Sequence, residues 1–346
     1  MLRSLQIGRA LATISVVVFH LSLTMELPQY GNNPVFREYT QYGNSGVDFF
    51  FVLSGFIIMF AHHQDIGRPE AWTRFCFRRF VRLFPIYWLY TACLVAMLYL
   101  GVGGKTILPT DWQGWVSSLL LIRFDDVSPP LPVAWTLFHE VAFYAVFSLL
   151  ILNKRLGIAV AVACLALSVC FFQFPSEFER TPFKVYTSGY SFHFLFGIGA
   201  YWLYRKGGTG RMELFLGVLS LLVAFSALTP WRDLQHLGMA LGFGFLLAAA
   251  VKFEQAGHLK FPRVLGAIGD ASYTIYLTHS KILGAFMALA TATGLQAKIG
   301  GELVFVLALL TALVCGYLAY WLIERRVLSL RSWFGGRRRS PVLAPT

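Results

Sequence analysis

Apolar blocks long enough to cross a lipid bilayer recur along most of this 346-residue chain, separated by short links rich in arginine and lysine. No other feature constrains the fold as tightly. Hydrocarbon offers no hydrogen-bond partners, so a lipid-exposed backbone must satisfy its own N–H and C=O groups, and a stretch of ~20 residues does so as an α-helix. The pattern predicts an all-α, polytopic membrane protein. Composition agrees: 13% of residues are charged, against ~25% in soluble domains. The apolar segments lie at about 6–24, 46–63, 83–101, 134–152, 156–173, 190–204, 212–228, 236–252, 267–290 and 303–323, which predicts a bundle of about ten transmembrane helices. The sixth, YSFHFLFGIGAYWLY, is the shortest. WVSSLLLI (115–122) is too short to span and reads as interfacial or re-entrant.

Charge in the links orients the bundle. With a cytoplasmic N-terminus, the inner links and ends carry 21 of the 29 lysines and arginines, the outer links carry 7, and Lys281 lies within a span. That asymmetry is the positive-inside rule, and a missed or extra span would invert everything downstream. Both termini are therefore expected in the cytoplasm. The net charge of +12 reflects topology, and no nucleic-acid partner is read from it. Arg3 and Arg9 ahead of an apolar run look like a secretory signal, but LSLTMELP lacks a small-residue cleavage signature, so the first helix reads as uncleaved. The five cysteines, Cys76, Cys93, Cys164, Cys170 and Cys315, form no CxxC pair and read as small apolar residues without disulfides or metal. Residues 1–325 read as one transmembrane domain. Residues 326–346 read as a basic, disordered cytoplasmic tail whose arginines hold the last helix at anionic lipid. No internal repeat is visible.

Ionisable groups inside such segments mark functional paths. Arg9 and His20 are eleven residues apart, so a helix places them ~20° apart on one face and ~16 Å apart along the axis. Arg9 falls near the inner surface and His20 towards the outer side, as if lining one passage. Asp48, in GNSGVDFFFVLSGF, lies at the outer end of the second segment, where it could orient an imidazole or cap the helix. Gly46, Ser54 and Gly55 there suit close helix packing. In AWTLFHEVAFYAVF, Glu140 lies about two turns in, with Tyr144 one turn further on the same face. His139 points ~100° away. In GDASYTIYLTHS, Ser272, Tyr276 and His279 share a face, as a site or as a structural polar network. In WTRFCFRRFVRLFPIYW, Arg74, Arg78 and Arg82 form a stripe with Arg79 beside it, interleaved with Phe75, Phe77, Phe80 and Phe84. This stripe reads either as a lipid anchor or as a phosphate clamp, because guanidinium forks match phosphate oxygens. No P-loop, His/Cys metal spacing or GxSxG elbow is present.

Five landmarks in order carry a family resemblance: the Arg-x10-His of RALATISVVVFH, GNSGVDFFFVLSGFIIMF, FRRFVRLFPIYWL, WTLFHEVAFY and GDASYTIYLTH. Over residues 5 to about 325 the chain resembles acyltransferase family 3, the bacterial integral-membrane O-acyltransferases of surface polysaccharides. The resemblance implies a ten-helix bundle in the cell inner membrane. It implies transfer of an acyl group, acetyl above all, from cytoplasmic acyl-CoA to a hydroxyl of an exported or lipid-linked polysaccharide, with no metal. On that reading Arg9, Arg78, Arg79 and Arg82 hold the coenzyme A phosphates. His20 serves as general base or as covalent relay, Asp48 or Glu140 orients it or shuttles protons, and Tyr144 stabilises an oxyanion. Trp135, Thr136, Ser272, Tyr276 and His279 are the candidates for substrate contacts. Thr136 stands where serine is common in the family, which keeps a hydroxyl. No periplasmic SGNH-type domain accompanies the bundle, so transfer is expected to be completed by the bundle or a separate partner. Other readings stay open on the sequence. A proton-coupled transporter or flippase of a glycan precursor would also use buried His, Glu and Asp, although no repeat of one half in the other supports it. The acceptor could equally be a small molecule or a lipid headgroup.

Overall fold

The computed structural model describes residues 2–33, 35–101, 106, 108–124, 126–175, 181–226, 231–259 and 261–334, with side chains up to 329. Lys105, Arg180 and Lys260, counted above for topology, and residues 335–346 of the expected tail lie outside the described residues. Among the described residues every regular element is helical.

The principal helices are α1 (Arg3–Met25), α2 (Ser45–His62), α3 (Trp72–Tyr99), α4 (Trp112–Leu120), α5 (Trp135–Leu152), α6 (Lys154–Cys170), α7 (Tyr190–Arg205), α8 (Arg211–Ala224), α9 (Arg232–Gln255), α10 (Arg263–Asp270), α11 (Ser272–Ala292), α12 (Gly301–Ala319) and α13 (Arg325–Phe334). Each of the ten expected apolar segments is helical over most of its described residues. Six stretches are long and apolar enough to cross a membrane: Arg3–Met25, Arg37–Asp65, Pro69–Tyr99, Pro132–Leu152, Arg232–Gln255 and Gly301–Ser329. The others differ for physical reasons. Helix α8, with 14 residues, reaches only about 21 Å against a hydrocarbon core of ~30 Å. Helix α11 is long enough but carries Ser272, Thr274, Thr278, His279, Ser280 and Lys281.

Two local departures shape the interior. The arginine-bearing link is not separate from the third segment: α3 is one 28-residue helix with Pro85 inside it. The ninth segment, expected to be continuous, is interrupted at Ala271 between α10 and α11. Helix α4 is the short segment read as non-spanning. Asp111 caps its N-terminus by accepting from Gly114 N at 2.7 Å, and α3 ties it down through Tyr87 OH to Ser118 O at 2.9 Å and Trp88 Nε1 to Leu119 O at 2.8 Å. The sequence read as a disordered tail begins helically, as α13.

Helix α1 is the central pillar, packed against α2, α9, α10, α11 and α12. Helix α7 lies against both α2 and α9, and α8 pairs with α9. The tightest contact is between α2 and α7. A Cβ on Gly197 would lie 1.9 Å from Val52 O, and one on Gly55 would lie 2.2 Å from Phe194 O. Only glycine permits that approach, as in small-residue interfaces of membrane helices. One apolar core runs through α2, α3, α5 and α7, and a second lies between α1, α11 and α12. A polar cavity lies at their meeting. The outer faces of α8 and α12 expose Leu219, Leu222, Leu310 and Val314. Apolar surface this continuous belongs against lipid.

Candidate active site

The cavity has a volume of about 270 Å³ and is walled by five helices: Arg9 from α1, Ser54 from α2, Arg79 and Arg82 from α3, Thr136, Glu140 and Tyr144 from α5, and Ser272, Tyr273 and Tyr276 from α11. Helical periodicity explains the selection. On α2 the lining residues Val47, Phe50, Phe51, Ser54 and Ile58 follow one face. On α3 the inward face is Phe75, Arg79, Leu83 and Ile86, with Arg82 at its edge.

One end of the cavity is cationic. The Arg79 guanidinium sits 5.7 Å from the Tyr144 ring and 5.8 Å from the Phe75 ring. It donates to His62 Nε2 at 3.2 Å, and His62 Nδ1 donates to Asp65 Oδ2 at 2.8 Å. Arg74 reaches the other Asp65 oxygen at 3.3 Å. Arg9 is 8% exposed, and its Nε donates to Ser272 Oγ at 3.0 Å. Ser272 is the first residue of α11, directly after the break at Ala271. Three arginines against the single carboxylate of Glu140 leave the lining positive, which suits an anionic ligand.

In the middle, Glu140 accepts a short hydrogen bond from Tyr144 OH and a longer one from Ser54 Oγ at 3.4 Å. At the far end Tyr276 OH donates to Val133 O at 3.0 Å and lies 2.9 Å from Thr136 Oγ1. The Tyr276 ring meets Phe50 at 6.1 Å between centroids.

His20 is not in the wall. It stands beyond Tyr276 with its ring 4.9 Å from that of His279, which in turn is 5.9 Å from Tyr276. The cavity wall therefore holds Arg9 and Tyr276 but not His20, and the Tyr276 hydroxyl is tied to α5 and its preceding turn. The structure thus brings together Arg9, Arg79, Arg82, Thr136, Glu140, Tyr144, Ser272 and Tyr276 in one cavity, with His20 and His279 paired one turn further out.

Three further residues singled out in the sequence lie outside the cavity wall. Arg78 is exposed, because it lies ~100° round the helix from Arg79. Trp135 packs against His139 and Tyr190, with centroids 5.9 Å and 5.7 Å away, outside the cavity wall. The imidazoles that Asp48 engages are His193 and His236. It is 1% exposed and accepts from His193 Nε2 at 2.8 Å and His236 Nδ1 at 3.0 Å. Their donor types would suit a divalent cation, but the mutual hydrogen bonds already satisfy the carboxylate. His193, His236 and Tyr273 escaped the sequence reading, and Ser54 was read there for helix packing and not for the site. For Ser54 a signal existed: six residues from Asp48, it lies on the other side of α2, towards Glu140. For His193 and His236 the signal was an imidazole inside an apolar segment, while their shared partner Asp48, on a distant helix, could not be read from it.

Comparison with known proteins names the class. A family model described as an acyltransferase domain, the acyltransferase 3 model, matches residues 2–321. The chain belongs to this family. It is similar to the exopolysaccharide production protein ExoZ of Rhizobium meliloti, with 28% identity over 300 residues, 83% of this chain and 90% of that protein. It is also similar to nodulation protein 10 of Rhizobium leguminosarum bv. viciae, with 24% identity covering 85% of each chain. A Bacillus subtilis protein assigned as a peptidoglycan O-acetyltransferase, YrhL, is 26% identical over 80% of this chain and 47% of its own length. No solved structure matches. The protein is a multi-pass membrane acyltransferase that transfers acyl groups other than aminoacyl groups.

Proposed function

We propose that this acyltransferase lies in the cell inner membrane, with ten crossings and both ends in the cytoplasm, and moves an acyl group from cytoplasmic acyl-CoA to a hydroxyl of an exported or lipid-linked polysaccharide. Acetyl-CoA is the simplest donor. The observation that carries the reading is the cavity: an arginine-lined end, a polar middle and a hydroxyl-lined end, backed by a histidine pair. A volume of about 270 Å³ is below the ~300–1,000 Å³ of pockets that take whole drug-sized ligands. It suits a thin thioester arm, with the nucleotide phosphates left at the arginines. The ExoZ and YrhL names point to glycan acceptors for those proteins, and this chain is read the same way.

The residues then take these parts. Arg79 and Arg82, with Arg9 deeper, bind phosphate and the donor's polar groups through charge-assisted hydrogen bonds. His20 takes the proton of the acceptor hydroxyl. The hydroxyl oxygen attacks the thioester carbonyl, the C–S bond breaks, and the proton on His20 goes to the departing thiolate. The sum is an ester and coenzyme A thiol. Tyr144 donates to Glu140 beside the Arg79 guanidinium and holds that carboxylate at the donor's end of the cavity. Tyr276 closes the route, so its displacement by the arriving arm opens the way to His20.

The test is glycan O-acetylation, read by mass spectrometry, in cells that carry His20→Ala at wild-type membrane levels. The reading expects acetylation to disappear. Acetylation at the wild-type level would remove His20 from the mechanism.

A further inference from the structure

The two facing imidazoles, His20 and His279, carry more than proximity, because their backbone contacts decide where each proton resides. His279 is fully buried. Its Nδ1 lies 2.7 Å from Tyr276 O and 3.2 Å from Ile275 O. Carbonyl oxygens only accept, so His279 Nδ1 carries the hydrogen, and in the neutral ring Nε2 is an acceptor. His20 Nδ1 lies 2.9 Å from Val16 O, which by the same argument makes it the N–H of His20. That N–H also faces His279 Nε2 at 3.3 Å. It is therefore shared between a carbonyl of its own helix and the second imidazole. The lone pair of His20 then sits on Nε2, the atom a general base uses. The hydroxyl of Ser280 is 3.3 Å from His279 Nε2, where it too can only donate, which reinforces the acceptor role of that nitrogen.

We propose that His279 is the positioning residue for His20: its Nε2 accepts from His20 Nδ1–H, aims His20 Nε2 at the acceptor hydroxyl and holds the imidazolium that forms. The inference rests on the reading of His20 as base. When the hydroxyl O–H breaks and its proton binds Nε2, His20 becomes a cation with N–H on both nitrogens. The Nδ1–H bond to His279 then becomes charge-assisted and strengthens. An interaction that tightens as the proton moves favours the transition state over the ground state. The orienting part that a carboxylate plays in a serine–histidine–aspartate triad is here given to a neutral ring. A neutral acceptor leaves no unpaired anion in the low-dielectric interior before the proton arrives.

The test compares two amides. In His279→Asn the side chain reaches the position of Nδ1 and still donates to the Tyr276 carbonyl, but it presents nothing to His20. In His279→Gln the side-chain oxygen reaches the position of Nε2. The full-length variants are assayed in membrane vesicles of the producing cells with radiolabelled acetyl-CoA, and label in the glycan is counted. The expected result for His279→Asn is a fall in kcat of about 10- to 100-fold with KM for acetyl-CoA within about twofold, and for His279→Gln a recovery of most of that loss. Equal kcat in both variants and wild type, with His20→Ala inactive, overturns the positioning role and leaves the base in place. Wild-type activity in His20→Ala overturns both. A rise in KM of similar size in both variants assigns His279 to donor binding and overturns the proposal as well.

Discussion

Arg78 and Arg79 are adjacent on α3, yet one is exposed and the other stands over the Tyr144 ring in the cavity. The pair isolates what the donor site needs. Arg79→Ala should raise KM for acetyl-CoA about 10- to 100-fold, the equivalent of losing one hydrogen bond to a charged group. Arg78→Ala should leave it within about twofold. Titration of initial rates against acetyl-CoA distinguishes them, and equal effects would turn the cluster back into a lipid anchor. Glu140 makes a second case. Glu140→Gln keeps the shape and an acceptor for Tyr144 and Ser54 but removes the charge. The expected outcome is a kcat about 100-fold lower with the protein still eluting as a folded species in detergent. The residues of greatest interest were legible as types at depths: a buried Arg, Glu and His in apolar helices are costly and so conspicuous. Which of them touch was not legible. Asp48 reads well as a partner for some imidazole, and the structure pairs it with two, neither of them His20.

Helix packing turns those depths into a cavity. The close contact of α2 with α7 draws α2 inward at Gly55, one residue from Ser54 on the cavity wall. Gly197→Ala adds a Cβ 1.9 Å from the Val52 carbonyl, where backbone rather than a yielding side chain must move. Overpacking of this kind costs on the order of 1–3 kcal/mol. A lower Tm in detergent, accompanied by lost acetylation, is expected from a residue outside the cavity wall. An unchanged Tm would show that the two helices part without cost. Helix boundaries came within a few residues of the hydropathy pattern, because a desolvated backbone leaves the chain little choice. The break at Ala271 did not, because no proline or glycine pair marks it there. Its effect appears only when α10 lies along α1, with Gln6 bonded to Asp270 and Arg9 to Ser272.

For the whole molecule, orientation is the open test. If ten segments cross, a reporter fused at the single-residue link Asn153, or in the 207–210 turn, is cytoplasmic, and one inserted at Thr187 is exported. Alkaline phosphatase and fluorescent-protein fusions read the two sides directly. An active phosphatase at Asn153 would overturn the count. Six helices meet the length and apolarity of a span by themselves, so the shorter α6, α7 and α8 need their neighbours, or a locally thinned bilayer, to cross. The amino-acid sequence alone determined that the chain is helical, that it belongs in a membrane, that the links between its helices are basic and which residue types are stranded in the apolar interior. Those properties follow from hydrogen-bond satisfaction and the cost of burying charge, and both act locally along the chain. The tertiary structure alone decided that Arg79 and not Arg78 faces the cavity, that Tyr276 lines it, and that His20 meets His279 while Asp48 meets His193 and His236. Those outcomes depend on the rotation and close approach of helices far apart in sequence, and no local pattern encodes them.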